Sequence, residues 1–211
     1  MKTLLISGFD GRMGQECARL APEYGFAARE YAADADGAAL LDFSHPDCLA
    51  KVLACPLPLV IGTTGYTAAQ QETIRQAAQS RPIFQAANFS PGVYLLGLLS
   101  EKAKSLLPDW DVSLAEIHHA GKADKPSGTA QALMHSLQIF QVLSIRGGTV
   151  PGIHEIGFYG PGEHLGITHT AESRAVFAHG ALRAVQWLMG QEPGLYGMKD
   201  ITKDKIGRAH V

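Results

Sequence analysis

The segment TLLISGFDGRMG, residues 3–14, decides the fold of the first half of the chain. Residues 3–7 form a largely apolar run, which predicts a strand buried on both faces of a parallel sheet. Glycines then recur at every third position up to Gly14, and we expect a helix to continue to about Leu20. A strand, a glycine turn and a helix place a pyrophosphate at a helix amino terminus. The G-x-x-G-x-x-G spacing is a weak signal alone, but its place directly after a first strand favours a dinucleotide site.

Further strands alternate with helices up to about residue 89. Apolar runs predict strands over residues 26–31, 38–43, 57–61 and 82–86, with an amphipathic helix over 67–79. This alternation predicts an α/β fold with a Rossmann-like, doubly wound parallel sheet. Ligands of such sheets bind at the carboxyl ends of the strands. Residues 8–14, 62–64 and 86–89 all fall at such ends.

The pattern changes after Pro91. We expect helices over residues 92–107 and 127–140, and strands over 111–118, 142–146, 153–159 and 164–170. Strands that follow one another without helices predict a second α+β domain with a mixed sheet. Apolar positions at helical spacing then predict an amphipathic helix over 174–190. The expected division is a dinucleotide-binding domain at 1–89, completed by 175–205, and a substrate-binding and oligomerisation domain at 90–174.

The end of the second predicted strand carries Arg29 and Glu30. An acidic side chain there accepts from the ribose 2′-OH of NAD, whereas an arginine accommodates the 2′-phosphate of NADP. The pair therefore leaves the choice between NADH and NADPH open.

The densest polar stretch is EIHHAGKADKPSGTA, residues 116–130. It predicts a strand end, a polar loop and a helix amino terminus, where free N–H groups and a partial positive charge favour an anion. His118 or His119 could supply a proton near neutral pH, and Lys122 a fixed positive charge or a proton. The alternative is purely structural, because single histidines are common at strand ends and Ser-Gly-Thr is a frequent helix start. A metal site fits poorly, since adjacent histidines on a strand face opposite sides and no further ligand follows at metal spacing.

Composition excludes several classes of partner. The 211 residues carry a net charge of −2 without basic runs, which argues against nucleic acid. Three scattered cysteines suit reduced thiols, and the first apolar run is too short for a signal peptide. No apolar run is long enough to span a membrane. We therefore expect a cytoplasmic protein.

Residues 206–211, IGRAHV, can be back-translated as ATC GGA AGA GCA CAC GTC. These codons match a widely used sequencing adapter. We therefore expect a non-native tail at 206–211 and exclude it from fold reasoning.

Taken together, several motifs resemble one family, that of 4-hydroxy-tetrahydrodipicolinate reductase, also called dihydrodipicolinate reductase. They are GFDGRMG at 8–14, DFSHP at 42–46, VIGTTGY at 60–66, AANFSPGV at 86–93, the 116–130 block, GEHLGITHTAESRAVFAHGALRA at 162–184 and GLYGMKD at 194–200. The resemblance covers nearly the whole chain, and the HHxxKxDxPSGTA pattern is its most specific part.

This resemblance implies a reaction and a set of residues. The reaction is reduction of 4-hydroxy-tetrahydrodipicolinate with NADH or NADPH, in lysine and diaminopimelate biosynthesis. His118 is implied as the catalytic proton donor or acceptor and Lys122 as a second donor, which also binds the small dicarboxylate substrate with His119, Ser127, Gly128 and Thr129. The implied cofactor contacts are Gly8, Phe9, Asp10, Gly11, Arg12, Met13, Glu30, Gly62, Thr63, Thr64, Ala86, Ala87, Asn88 and Phe89. The family also implies a homotetramer joined through the sheet of the second domain.

The chain departs from longer family members in two places. The segment at residues 31–38 is much shorter than in those members, which affects the adenine-side contact at Glu30. The connection at residues 140–150 is also shorter, which affects the subunit interface. Two alternative functions remain at this point: another NAD(P)-dependent dehydrogenase of a small amino acid, or a catalytically silent NADH-binding redox sensor.

Overall fold

The structure, a computed structural model, describes residues 1–206, with side chains described through Thr202. It divides into two compact units, Met1–Phe89 with the chain from Phe177 onward, and Ser90–Val176. The expected limits were 89/90 and 174/175. Of the expected tail, only Ile206 is described, and residues 207–211 lie outside the described part of the chain.

The first unit is built on a parallel sheet of six strands in the order β10-β5-β4-β3-β1-β2. The strands are β1 (Lys2–Ser7), β2 (Phe26–Glu30), β3 (Ala39–Asp42), β4 (Leu59–Ile61), β5 (Pro82–Gln85) and β10 (Gly194–Tyr196). The helices are α1 (Arg12–Leu20), α2 (Leu49–Ala54), α3 (Ala68–Ala77), α6 (Ala175–Leu188) and α7 (Met198–Ile206). Central strands are buried on both faces, as their continuous apolar runs predict.

Two features of this unit were not predicted. β10 has only three residues, yet it pairs with β5 from Gly194↔Pro82 to Tyr196↔Phe84 and completes the sheet. The helix α6 approaches so closely that a Cβ built on Gly180 would lie 1.9 Å from the carbonyl oxygen of Phe89. Only glycine permits that approach of helix to backbone.

The second unit contains a mixed sheet of four strands in the order β7-β6-β8-β9. Its elements are α4 (Pro91–Leu106), β6 (Asp111–His118), α5 (Gly128–Leu137), β7 (Val142–Arg146), β8 (Gly152–Gly160) and β9 (Glu163–Ala171). β6 pairs parallel with β7 and antiparallel with β8, so the predicted mixed sheet is confirmed. Helix α5 stops at Leu137, short of the predicted residue 140, because Gln138 takes a left-handed conformation with φ 51°.

One face of this sheet is polar at one end and apolar at the other. Residues paired across strands share a face. Leu114 on β6 and Ile156 on β8 therefore form one level of the core with α4 and α5. One level further along, Glu116 lies opposite Ser144 on β7 and His154 on β8. The polar end of the sheet thus gathers side chains from three strands.

Within the described residues, we find no helix with the length and apolar character needed to cross a membrane.

Candidate functional site

The glycine turn after β1 leads directly into α1. Gly8 has φ +77°, and its carbonyl oxygen accepts from the N–H of Gly11 at 3.1 Å. A Cβ on Gly14 would lie 2.2 Å from that same oxygen. The close packing of turn and helix therefore depends on glycine, and it leaves the amino terminus of α1 open for a phosphate.

A cavity of about 920 Å³ opens at this end of the first sheet. Its wall contains six of the predicted cofactor residues, namely Gly11, Arg12, Met13, Gly62, Thr63 and Thr64. They follow β1 and β4, and residues after β3 complete the wall. Since the chain runs from β1 outward to β2 and then crosses to β3, this is the place where a doubly wound sheet binds its ligand.

The other predicted cofactor residues do not line that cavity. They are Gly8, Phe9, Asp10, Glu30, Ala86, Ala87, Asn88 and Phe89. Glu30 ends β2 in register with Ile6, the position expected for a ribose contact, and it is exposed. The side chain of Phe89 is buried against Phe43 and Phe84, with ring centroids 5.6 and 5.9 Å apart, so it belongs to the core.

The sequence reasoning overlooked the segment after β3. Phe43, Ser44 and the residues up to Asp47 line the cavity. The Ser44 N–H donates to Thr63 Oγ at 2.9 Å, and its hydroxyl donates to the buried carboxylate of Asp42 at 2.5 Å. The motif DFSHP, residues 42–46, was among those shared with the family. Its position directly after the third predicted strand could have predicted that it lines the cavity.

A second cluster lies at the polar end of the second sheet and is centred on His118, the last residue of β6. His118 is 7% exposed, and its Nδ1 contacts the Oε2 atom of Glu116, which is fully buried. The ring of His154 stands edge-on to that of His118, with centroids 5.1 Å apart. A Cβ on Gly152 would lie 3.0 Å from His118 Nε2, so the missing side chain leaves room for the ring.

The amino terminus of α5 adjoins this cluster. Ser127 caps the helix by accepting from the Ala130 N–H at 3.2 Å, and its own N–H donates to Glu116 Oε1 at 3.3 Å. The Gly128 N–H donates to Asp124 Oδ2 at 3.3 Å. The predicted anion position is therefore satisfied by carboxylates of the chain itself.

Lys122 and His119 lie on the loop between β6 and α5. Lys122 Nζ pairs with Asp124 Oδ1 at 2.6 Å, and this contact keeps the pKa of Asp124 low although burial opposes it. The Lys122 N–H donates to the carbonyl of His119 at 3.1 Å. Thr129 is in the first turn of α5, and open space faces Gly128. The structure thus brings His118, Lys122, Ser127 and Gly128 together, while the His119 ring lies beside Gly121.

Burial and charge shift the titration of the cluster. Burial alone would raise the pKa of Glu116, but the Ser144 hydroxyl, the Arg146 guanidinium and His118 lower it to about 2. Burial lowers the pKa of His118, and the Glu116 charge opposes that shift. Burial also lowers the pKa of His154, to about 4. At neutral pH the cluster therefore holds an ionised carboxylate next to His118.

Ligand atoms of Glu116, His118 and His154 lie within 4.8 Å of one another, close enough for a metal ion. The sequence reasoning did not foresee His154 as a neighbour, because the contact arises from strand register. Arg146 Nη2, however, already neutralises Glu116 at 2.9 Å. A divalent cation would be repelled by that guanidinium, so the group is better described as a buried ion-paired cluster.

Comparisons with known proteins cover both units. A family model described as "Dihydrodipicolinate reductase, C-terminus" matches residues 92–202, and one described as "Dihydrodipicolinate reductase, N-terminus" matches residues 26–89.

Many relatives are described as 4-hydroxy-tetrahydrodipicolinate reductase, and two of them illustrate the similarity. The protein from Wolinella succinogenes is 40% identical over 191 residues, covering 76% of this chain and 75% of the relative. The protein from Caldanaerobacter subterraneus is 34% identical over 252 aligned positions, covering 96% and 99%. Since 252 exceeds the 211 residues of this chain, that relative has segments that this chain lacks, as expected for a shortened member.

The fold is also similar to a solved structure, dipicolinate-bound dihydrodipicolinate reductase from Paenisporosarcina sp. TG-14. The TM-score is 0.76 at 21% identity, with 95% of this chain and 99% of the other covered.

Proposed function

The chain belongs to the dihydrodipicolinate reductase family and catalyses NAD(P)H-dependent reduction of 4-hydroxy-tetrahydrodipicolinate, and on this premise we propose that His118 and Lys122 carry the proton chemistry. The observation that supports this most is the buried His118, backed by an ionised carboxylate at the end of β6 and adjoining the amino terminus of α5.

The reaction needs one proton. Replacing a ring hydroxyl by a hydride, with the hydroxyl leaving as water, consumes a hydride and a proton. NADH or NADPH supplies the hydride when bound. We assign His118 as the general acid that supplies the proton. Burial lowers its pKa, and the Glu116 carboxylate opposes part of that shift by favouring the protonated imidazole.

We assign substrate binding to Lys122, His119, Ser127, Gly128 and Thr129. The relative from Paenisporosarcina is described as dipicolinate-bound, and the substrate of this family is a ring dicarboxylate of similar shape. Lys122 and the Gly128 N–H at present hold the carboxylate of Asp124. A substrate carboxylate would take over these donors, since charge-assisted hydrogen bonds at a helix amino terminus suit any carboxylate.

The cofactor residues fit a dinucleotide. The helix amino terminus at Gly11 to Met13 would hold the pyrophosphate, and the Gly62 to Thr64 turn would hold the adjoining part of the cofactor. Glu30 would contact the adenine ribose. We propose that NADH serves at least as well as NADPH, because the Glu30 carboxylate repels a 2′-phosphate.

We further propose a homotetramer. Leu143 and Ile145 on the edge strand β7 are 62% and 42% exposed, and Tyr159 on β8 is 47% exposed. They alternate with inward-facing residues, so they share the outer face of the second sheet. Exposed apolar side chains next to an open strand edge need a cover. A monomer by light scattering at micromolar concentration would contradict this assembly.

We propose the cytoplasm as the location of the protein. The reaction consumes NAD(P)H, and the three cysteines are free thiols, and both features suit that compartment.

The test is a steady-state assay with enzymatically generated substrate. His118→Gln should lower kcat by roughly 10²–10⁴-fold with little change in KM. Lys122→Met should raise the substrate KM strongly, and should lower kcat as well if Lys122 donates a proton. Lys125→Met, the neighbouring exposed lysine, is the matched control for lost charge.

NADH binding, followed by fluorescence, should persist in all three variants. A near-normal kcat in His118→Gln would move the proton donor to Lys122 or to water. Turnover of a small amino acid but not of the cyclic imine, or binding of NADH without turnover, would favour the two alternative functions.

A further inference from the structure

Glu116 is a buried carboxylate that the reaction itself does not require. It is fully buried on the inner face of β6. Removing a charge from water costs several kcal/mol unless it is paired and hydrogen-bonded. Its contacts should therefore explain its presence.

The two carboxylate oxygens of Glu116 have different partners. Oε1 accepts from Arg146 Nη2 at 2.9 Å and from the Ser127 N–H at 3.3 Å. Oε2 contacts His118 Nδ1. One oxygen anchors the carboxylate to the framework, and the other faces the candidate proton donor.

Arg146 extends the anchor to the loop. Its Nη2 also donates to the carbonyl of Asp124, and its Nε donates to the carbonyl of Lys122 at 3.3 Å. The same guanidinium therefore fixes Glu116 and the backbone that carries Lys122. A shift of the Glu116 and Arg146 pair would move both candidate catalytic residues.

The contact also selects a tautomer. An ionised carboxylate this close to a ring nitrogen favours a hydrogen-bond donor there, so the contact favours the tautomer with the proton on His118 Nδ1. The remaining nitrogen, Nε2, is the atom that can take up or release one. It lies beside Gly152, where a side chain would crowd it.

We propose, on the basis of the assigned function, that Glu116 is the positioning residue of His118: anchored by Arg146, it holds the Nδ1–H and presents Nε2 for proton transfer.

Charged and titratable groups from every neighbouring element act on His118. Burial has the largest effect and disfavours its protonated form, as do Lys122 from the loop and Arg146 from β7, whereas Glu116 favours that form. His154 from β8 packs edge-on against the ring. Of the described groups that shift the His118 pKa, Glu116 is thus the one that is negatively charged.

The variant Glu116→Gln keeps the shape of the side chain and removes the charge. We expect kcat to fall at least about tenfold, and by no more than the roughly 10²–10⁴-fold that loss of the acid itself costs. The substrate KM and NADH affinity should change little. The basic limb of the kcat profile should move to lower pH by about one unit, because an opposite charge nearby raises a histidine pKa by about 1–3 units. Glu155→Gln, an exposed carboxylate on β8, is the matched control and should leave the profile in place.

Three further measurements separate positioning from a merely structural role. In a His118→Gln background, Glu116→Gln should cause no additional loss of kcat, since it acts through His118. Imidazole ¹⁵N spectra should show the Nδ1–H tautomer in the unchanged protein and lose it in Glu116→Gln. Glu116→Asp should restore the position of the pH limb, even with a lower kcat.

A Glu116→Gln enzyme with unchanged kcat and pH limb would overturn the proposal, as would an equal loss of kcat in both backgrounds. If Glu116→Gln does not fold, the Glu116→Asp profile and the spectra of the unchanged protein decide the question. If the protein lacks reductase activity, the proposed function fails, but the tautomer measurement still tests the contact.

Discussion

His154 should make the second unit lose stability as the pH falls below neutral. The residue is 3% exposed, and its Nε2 is 3.3 Å from the Ser127 hydroxyl. Among the residues that the structure describes, no hydrogen-bond partner faces its Nδ1. Burial, with the His118 charge, lowers its pKa from 6.5 to about 4. In the unfolded chain His154 therefore binds a proton below about pH 6.5, whereas in the folded chain it binds that proton only below about pH 4.

The size of this effect follows from the difference in pKa. A pKa difference of about 2.5, at about 1.4 kcal/mol per pKa unit, corresponds to roughly 3.5 kcal/mol in the free energy of unfolding. Because the folded pKa is depressed, this contribution is fully present above about pH 6.5 and is lost as the pH falls toward 4. Between those values it adds a slope of about 1.4 kcal/mol per pH unit to the free energy of unfolding.

The assay is urea unfolding at several pH values between about 7 and 4.5, analysed by linear extrapolation. His154→Gln keeps a polar group near Ser127 but cannot titrate. The slope of its free energy of unfolding against pH should therefore be smaller, by the uptake of about one proton. Ser127→Ala is the control, because it removes the hydrogen bond and helix cap, costing about 1 kcal/mol at every pH, and leaves the histidine. Equal slopes in His154→Gln and the unchanged protein would refute the reasoning.

Four further predictions concern single positions. Gly152→Ala should lower kcat about tenfold at constant KM, since the new methyl crowds the ring of His118, the proposed proton donor. Gly147→Ala, which faces open space, should leave kcat unchanged, and equal effects of the two changes would contradict the assignment of His118. Asp124→Asn should lower the substrate KM, because the Asp124 carboxylate no longer competes with the substrate for Lys122. A raised KM would instead indicate that the ion pair with Asp124 orients Lys122 for binding. Gly180→Ala should lower the free energy of unfolding by about 1–3 kcal/mol in chemical denaturation, owing to its clash with a backbone carbonyl; an unchanged midpoint would contradict that packing. Glu30→Gln should raise kcat/KM for NADPH relative to NADH, and an unmoved ratio would place the adenine contact elsewhere.

The sequence predicted the framework well because its strands are strongly patterned. Strand β6 was predicted with its observed limits, and β1, β8 and β9 to within a residue at each end. β10 was missed, because three residues are too few for a period of two to be visible. Its partner strand lies more than a hundred residues earlier, so only tertiary pairing defines it.

The candidate site was predictable only where its residues are close in sequence. His118, Lys122 and Ser127 share one segment, and a single motif identified them. The contacts of Glu116 with Arg146 and of His118 with His154 depend on the register of β6 against β7 and β8, which no local pattern reports. The same register explains why an additional potential metal ligand escaped notice.

The pairing of β10 with β5 has a consequence for how the chain is made. During synthesis, all six residues of the cavity wall that were predicted from sequence emerge before Gly194, yet β5 keeps an open edge until β10 arrives. β10 then becomes the edge of the sheet itself, but it has only three residues, and a short edge strand limits association with other chains. A chain that ends before β10 would therefore retain every candidate catalytic group and still be more prone to aggregate. The contribution of residues 194–196 should thus be measured as a yield of soluble protein rather than as a rate constant.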